Sequence, residues 1–369
     1  MKLHVKILFC FLFVYGMICG QEVPFVEYYG EMVNASNACV KAPIILKSSA
    51  LTETISTSEF QLTEPDNAYY KLTEDQRKAA KYVLSIFSKL IVSSVPIKVF
   101  ITREDFGEIT GSEPKPLAKS KATSYYNNNN TVPFLQNTQY PIALAEAIKG
   151  ENLNTDNNEI EIILNKNENI PWNIDTMGLA VANKFDFVTV IMHEIMHGLG
   201  FATAAKCSTD SYSGSIGFSG FPQASANIYP TIFDKFIVNS LSSLPTYIYT
   251  ITDASQIYNN LTGNSLYFRG PKTLELLSNM QLTNSLPKLY APSTWSSGSS
   301  IAHFDENSYT ATNNNSLMTP KLKMQEVIHS PGELGAIILE DLGFIVNPFI
   351  TVTTPNNSTQ WTRGTTCQV

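Results

Sequence analysis

The fold is decided by one apolar stretch, Val188-Thr-Val-Ile-Met-His-Glu-Ile-Met-His-Gly-Leu-Gly-Phe201. Its only ionisable side chains are those of His193, Glu194 and His197. Side chains four positions apart lie on the same face of an α-helix, so the two imidazoles point to one place. Burying such groups without a partner costs on the order of several kcal/mol. We therefore expect a buried helix whose two histidines share a ligand.

The His-Glu-x-x-His spacing predicts a zinc site. Two histidine nitrogens on one helix face can bind one Zn²⁺ at about 2.0–2.1 Å. Glu194 follows the first ligand by one position and points beside the metal, where a carboxylate can take a proton from metal-bound water and pass it to a leaving amine. The chain has only five histidines, so chance rarely produces this spacing. The alternative is a pair of hydrogen-bonded helix histidines beside a surface glutamate.

A catalytic zinc needs a third protein ligand, which the sequence must supply from a distance. Thr203 stands where a third histidine or aspartate could follow the helix closely, and a threonine is a poor zinc ligand. His303 is the best distant candidate, with Asp305 or Glu306 available to orient its ring. His329, just before the last predicted helix, is the alternative third ligand.

Composition and charge indicate a globular, acidic protein. The chain has 369 residues, is 43% hydrophobic and contains 20 Phe and 17 Tyr, so it can bury a core. The net charge is −7, from 25 Lys and Arg against 32 Asp and Glu, and the basic residues are scattered singly. Without a basic cluster, nucleic acid is excluded as a partner.

The N-terminus is typical of a cleaved signal peptide. Lys2 and Lys6 precede an uncharged, mostly apolar run, Ile7–Cys19, which is too short to span a bilayer. We expect a protein that is secreted, extracellular or in the lumen of the secretory pathway, with no transmembrane segment after cleavage. Six Asn-x-Ser/Thr sequons fit a glycoprotein.

Signal cleavage leaves three cysteines, Cys39, Cys207 and Cys367, which allow one disulfide and one free thiol. Cys39 is expected to pair with Cys207 or Cys367. The alternative is that Cys39 acts as a thiolate that binds the metal and keeps the site latent. Both possibilities are left open by the sequence.

Helical and strand patterns alternate, which predicts the α+β class with a mixed sheet, an active-site helix, a long insertion and a C-terminal helix. Thr73 and Gln76 form a capping box before a helix over Glu74–Val92, and Pro96–Thr102 and Glu159–Leu164 read as strands. Three further helices are predicted: Ile142–Ile148, Pro271–Asn279, and one that starts at Ser330-Pro331 and stops at Gly343.

The predicted divisions are a signal peptide 1–20, an N-terminal arm or pro-segment 21–70, an N-terminal catalytic subdomain 71–204, an insertion 205–300, a C-terminal catalytic subdomain 301–345 and a polar tail 346–369.

Taken together, the motifs resemble the metzincin clan of zinc endopeptidases, and within it the leishmanolysin type with its distant third histidine. Besides the helix motif, the matching segments are Ala302–Asp305, Leu317–Pro320 and Leu339–Gly343. The resemblance implies zinc bound by His193, His197 and His303, Glu194 as general base and acid, and Met318 in a turn below the metal. It also implies that the strand Glu159–Leu164 is a rim strand that pairs with an extended peptide substrate.

The function expected from these observations is that of a secreted zinc endopeptidase acting on peptide or protein substrates. One alternative is a secreted binding or adhesion protein whose zinc is structural and held by four ligands. Another is a zinc hydrolase that acts on a small amide or ester.

Overall fold

The computed structural model describes residues 57–347 except 111–114, 128–132, 156, 207–216, 219–228, 281, 283–284 and 311–312, and also strand residues 30–31, 33–35, 44–45 and 351–352. The predicted signal peptide and the three cysteines Cys39, Cys207 and Cys367 lie outside the described residues. The described α-helices are α1 (Glu74–Leu90), α2 (Ile142–Lys149), α3 (Phe187–Leu199), α4 (Ala254–Leu261), α5 (Pro271–Asn279) and α6 (Gly332–Leu342). No helix in this part of the chain has both the length and the apolar character needed to cross a membrane.

One five-stranded sheet organises the first half of the molecule. Its strands are β1 (Gly30–Glu31), β2 (Phe60–Thr63), β3 (Ile97–Glu104), β4 (Ala118–Ala122) and β5 (Ile160–Asn165), in the order β1-β4-β5-β3-β2. The pairs β2/β3 and β3/β5 are parallel, whereas β4 is antiparallel to β5 and β1 is antiparallel to β4. The sheet is therefore mixed, and the mixed helix and strand content agrees with the predicted α+β class.

The remaining regular elements are short and join distant parts of the chain. Two- and three-residue strands pair two by two: Trp172–Asn173 with Phe185–Asp186, Ala205–Lys206 with Gly217–Phe218, Ile237–Val238 with Tyr267–Phe268, Val33–Ala35 with Lys321–Lys323, Ile91–Val92 with Ile345–Val346, Ile44–Ile45 with Thr351–Val352, and Tyr125–Tyr126 with Tyr140–Pro141. Four 3₁₀ helices are described: Ala68–Tyr70, Asp234–Phe236, Ile248–Thr250 and Ser316–Met318.

Helix α1 begins as its sequence predicts and ends two residues early. The Thr73 hydroxyl accepts the backbone N–H of Gln76, and the Gln76 side chain accepts the N–H of Thr73, which confirms the capping box. The predicted end at Val92 is wrong, because Ile91–Val92 forms a strand with Ile345–Val346. β-branched residues suit an extended backbone, and the distant partner strand supplies the hydrogen bonds that a further helical turn would have made.

The predicted strand near residue 160 exists as β5, but its predicted role at the rim is wrong. β5 lies inside the sheet, with Ile160 paired to Val99 of β3 on one side and to Ala122 of β4 on the other. Both of its backbone edges are used, so it offers no hydrogen bonds to a peptide. β4 also contacts α3, and beside it the sheet ends at the two-residue strand β1.

Helix α3 is buried along its whole length beneath this sheet. Asp186 caps its start by accepting the Thr189 N–H at 2.8 Å. Near its end, a Cβ at Gly198 would lie 2.3 Å from Ile160 Cγ2, so only glycine permits this close approach to β5. Gly200 ends the helix with φ of 121°, a left-handed value that other residues rarely adopt.

The described part of the predicted insertion 205–300 packs into the same core as α3. Phe201, directly after α3, has its ring centroid 4.7 Å from that of Phe233, which lies 5.2 Å from Phe268. Helix α5 is joined to α6 because the Asp341 carboxylate accepts the N–H groups of Lys272 and Thr273 at 2.6 and 2.9 Å. These contacts connect the insertion to both predicted catalytic subdomains, 71–204 and 301–345.

Candidate metal centre

Three histidines meet at one buried point. His193 and His197 lie on α3, and His303 comes from a loop 106 positions after the second of them. The His193 Nε2 lies 3.0 Å from the His197 Nε2 and 3.1 Å from the His303 Nε2. All three side chains are at most 1% exposed. The predicted convergence of these three residues is confirmed.

The other ring nitrogen of each histidine faces a backbone carbonyl. His193 Nδ1 donates to Leu317 O at 2.7 Å, His197 Nδ1 to Phe201 O at 2.7 Å, and His303 Nδ1 to Ser299 O at 2.8 Å. A carbonyl only accepts, so the proton of each neutral ring stays on Nδ1. Each Nε2 therefore presents a lone pair toward the other two.

Burial keeps the three rings neutral. It lowers the pKa of His193 and of His303 well below the ordinary value, and the neighbouring histidines add to this effect. The pKa of His197 falls to about 4, again because of burial. Neutral imidazole is the form of histidine that binds metals, so the rings are ready to bind an ion without first losing a proton.

The separations suit a single small metal ion. Nitrogens bound tetrahedrally at 2.0–2.1 Å to one ion stand about 3.3–3.4 Å apart, close to the observed 3.0–3.1 Å. The lone pair of His193 repels those of the other two histidines at these distances unless a cation lies between them. Within the described residues, no fourth His, Cys, Asp or Glu joins the group. The buried cluster of His193, His197 and His303 could therefore hold a metal ion.

Glu194 lies on α3 next to the first histidine. Its side chain is 0% exposed, and its carboxylate is not a member of the ligand group. The backbone carbonyl of Glu194 accepts the Ser120 hydroxyl at 2.6 Å, which fixes this point of α3 against β4. The catalytic role of Glu194 stays a prediction.

The predicted methionine turn lies against the histidine cluster. Met318 is fully buried at the end of the 3₁₀ helix Ser316–Met318. Its carbonyl accepts the N–H of Phe304 at 2.7 Å, and the carbonyl of Leu317 is the partner of His193. The turn thus holds both His193 and the residue that follows His303.

Two expectations about the surroundings of the third ligand are wrong. His329 is not near the cluster but contacts Asp186 at the opposite end of α3, with 2.8 Å between Nε2 and Oδ2. The ring of His303 is oriented by the Ser299 carbonyl rather than by Asp305 or Glu306. Asp305 instead accepts from the hydroxyl of Ser308 at 2.7 Å.

Asp234 is a residue of the site region that the sequence did not reveal. Its fully buried carboxylate accepts the Thr203 hydroxyl at 2.6 Å, the Ala204 N–H at 2.9 Å and the Thr231 N–H at 2.9 Å. Thr203 thus anchors the segment after α3 to the chain that follows. In the sequence, Asp234 is an isolated acid, and nothing in its neighbourhood indicates these partners.

No family model, curated protein or solved structure matches this chain.

Proposed function

We propose that this protein is a secreted zinc-dependent endopeptidase of the metzincin type that hydrolyses peptide or protein substrates. The observation that carries the proposal is the convergence of three buried, unprotonated Nε2 atoms, with that of His193 lying 3.0 and 3.1 Å from those of His197 and His303. The same three residues, His193, His197 and His303, are the ligands that the resemblance to the leishmanolysin type implies.

The number of ligands favours a catalytic zinc. Structural zinc sites are closed by four protein ligands, whereas catalytic sites have three and keep one position open. The described residues supply three nitrogens and no fourth His, Cys, Asp or Glu. This favours an enzyme over the alternative of a binding or adhesion protein with a structural zinc.

Glu194 is the residue to which we assign proton transfer. A bound Zn²⁺ would supply Lewis acidity and a water of lowered pKa. The Glu194 carboxylate takes the proton of the attacking water and delivers it to the leaving amine nitrogen. The Ser120 hydroxyl donates to its backbone carbonyl, so its position relative to the sheet is fixed.

We assign the substrate to β4 rather than to β5. β4 contacts α3 through the hydrogen bond from Ser120 to Glu194. In the sheet it lies between β5 and the short strand β1, which comes from the N-terminal arm. A peptide in extended conformation can add to such an edge as a further strand. Because β1 pairs with Lys119 and Ser120, the arm occupies the edge that the substrate would use. This supports the idea that the arm is a pro-segment.

The experiment that tests the function compares Glu194→Gln with the wild type. Zinc content is measured by mass spectrometry of the purified protein, and cleavage is measured with fluorescent casein. We expect both proteins to hold about one zinc and only the wild type to cleave. The control Glu333→Gln removes an exposed glutamate of α6 and should leave both quantities unchanged.

The outcomes separate the alternatives. Cleavage by Glu194→Gln at the wild-type rate would refute the assigned role. A wild-type protein that holds zinc but cleaves no member of a peptide library would favour the structural-zinc alternative. Turnover of small amides or esters without cleavage of any peptide would favour the small-substrate hydrolase.

A further inference from the structure

A cavity of about 530 Å³ lies in the part of the chain that the structure describes, and most of its walls come from the predicted insertion 205–300. They are formed by residues of two short segments, Lys235–Phe236 and Tyr247–Tyr249, by Arg269 and by the first turn of α5. Cavities that bind small molecules commonly have volumes of about 300–1,000 Å³. This cavity is therefore large enough for one small organic molecule.

The cavity carries positive charge. Lys235 and Arg269 line it, and none of the described residues in its walls is acidic. Neither cation forms an ion pair with a carboxylate of the described residues. The acid next to Lys235 in the sequence, Asp234, uses its carboxylate to accept hydrogen bonds from Thr231 and from the segment after α3. The two positive charges are thus left for a ligand.

Two tyrosines hold these cations at the cavity wall. The Lys235 Nζ lies 4.1 Å from the ring centroid of Tyr249, and the Arg269 Nη1 donates to the hydroxyl of Tyr247 at 3.2 Å. The backbone N–H of Arg269 bonds to the carbonyl of Phe236 at 2.8 Å, which fixes the base of the side chain. A guanidinium has five N–H donors in a rigid fork, so Arg269 keeps donors for a ligand beside its bond to Tyr247.

Aromatic rings form a large share of the remaining wall. The ring centroids of Tyr247 and Tyr249 are 6.0 Å apart, and the ring of Phe236 packs at 5.5 Å against the buried Phe268 behind it. Leu274 of α5 adds an aliphatic side chain. Aromatic side chains offer large apolar faces and favour offset or edge-to-face contacts with other rings. The shape and the lining therefore suit a flat apolar body.

We propose that this cavity binds an aromatic anion, a ring that carries a carboxylate or phosphate group. Arg269 and Lys235 bind the anionic group, and Phe236, Tyr247 and Tyr249 contact the ring. A planar guanidinium matches the geometry of carboxylate and phosphate oxygens, whereas an ammonium acts as a point charge.

The burial of Lys235 supports this choice of ligand charge. Burial lowers the pKa of Lys235, and the charge of Asp234 offsets this effect only in part. A bound anion favours the charged ammonium and so removes the remaining cost of its burial. The start of α5 adds no donors, because Asp341 already accepts the N–H groups of Lys272 and Thr273.

The cavity is separate from the histidine cluster. None of its described lining residues is a histidine or belongs to α3. We therefore expect the ligand to bind whether or not zinc is present and whether or not the protein cleaves peptides. Glu194→Gln should bind it as tightly as the wild type does.

The test is calorimetric titration of the full-length, zinc-loaded protein with phenyl phosphate and, separately, with benzoate. At least one of these probes should bind with about one molecule per chain and a dissociation constant below about 1 mM, and the tighter one identifies the anionic group. Inorganic phosphate, which lacks the ring, should bind at least tenfold more weakly than phenyl phosphate. Benzylamine, a ring with a positive charge, should not bind.

Two substitutions remove the charges one at a time. Arg269→Gln and Lys235→Gln should each weaken binding of the tighter probe by about tenfold or more, the range expected for a lost hydrogen bond to a charged group. The matched control is Lys272→Gln, which removes an exposed cation of α5 that pairs with Glu275 at 3.1 Å outside the cavity. This variant should bind as the wild type does.

The proposal is overturned if neither ring anion binds, or if benzylamine binds as tightly as they do. It is also overturned if both charge-removing variants keep the wild-type affinity, since the probe would then bind elsewhere, for example at the zinc. Equal affinity for inorganic phosphate and phenyl phosphate would refute the contacts with the ring. If one of the two variants fails to fold, the other decides, and an unchanged affinity overturns the proposal.

Discussion

Gly198 is the position where the packing of the metal helix can be tested most sharply. We consider the substitution Gly198→Ala alone and together with Ile160→Ala. A Cβ at position 198 would meet three side-chain atoms of Ile160, at 2.3, 2.8 and 3.0 Å. The first two are branch atoms close to the backbone of a buried central strand, so they cannot move aside without shifting β5 or α3.

The expected magnitude follows from two opposing contributions. Overpacking a filled core costs about 1–3 kcal/mol, and three contacts at or below 3.0 Å place Gly198→Ala at the upper end. Replacing glycine by alanine inside a helix returns about 1 kcal/mol. We expect the single substitution to lower the free energy of unfolding by about 2 kcal/mol.

The second substitution should reverse the sign. Ile160→Ala deletes all three clashing atoms and by itself costs about 2–5 kcal/mol through the cavity that it leaves. In that background, Gly198→Ala no longer clashes and should stabilise by up to about 1 kcal/mol. The coupling between the two sites is then about 3 kcal/mol.

Urea denaturation of the four proteins, with zinc present, measures this cycle. The m-values must agree among the variants for the comparison to hold. If Gly198→Ala costs the same in both backgrounds, the close approach of α3 to β5 is not what requires a glycine, and the reasoning fails.

Three further predictions concern the site and its surroundings. His303→Ala should weaken zinc binding by more than about 100-fold, since loss of an outer hydrogen-bond partner of a ligand alone costs about 10–100-fold. His329→Ala should keep its zinc. Metal analysis after dialysis measures both, and the reverse result would overturn the ligand set. Burial raises the pKa of Glu326 to about 7 from 4.5, so the folded state favours the protonated acid and stability falls as pH rises from about 4.5 through 7. Glu326→Gln should remove a fall of about 3 kcal/mol over this range, and an unchanged pH profile of urea unfolding would contradict the assignment. Removing residues 1–56 takes β1 from the edge of β4 and should speed casein cleavage; equal rates before and after removal would argue against β4 as the substrate edge.

The elements that the sequence predicted correctly are those whose causes are local. The capping box of α1 and the apolar run of α3 involve residues within one or two helical turns, so their patterns are visible in the sequence. The position of β5 inside the sheet depends on β3 and β4, which lie far from it in the chain. Its strand character was therefore predictable, but its place in the sheet was not.

The hydrogen-bond acceptors of the histidine rings could not be predicted from the sequence for a related reason. The three acceptors are backbone carbonyls, those of Leu317, Phe201 and Ser299. Every residue carries such a carbonyl, so no residue type marks the ones that orient a ligand. The sequence therefore favoured Asp305 and Glu306, whose side chains are recognisable hydrogen-bond acceptors, and that prediction is wrong.

His303 shows how a distant residue can be brought to the helix histidines with little freedom. His303 is held by its backbone: its carbonyl accepts the N–H of Tyr290 at 2.8 Å, and the carbonyl of Tyr290 accepts the N–H of Ile301 at 2.7 Å. These bonds join residues on both sides of position 300, where the predicted insertion ends. The Phe304 N–H, in turn, bonds to the carbonyl of Met318. The loop that carries His303 is thus fixed between the end of the insertion and the methionine turn. Because the fold itself places this histidine opposite α3, the conformational entropy of bringing together residues 106 positions apart is part of the cost of folding the whole chain, and distance along the sequence does not keep His303 from the two helix histidines.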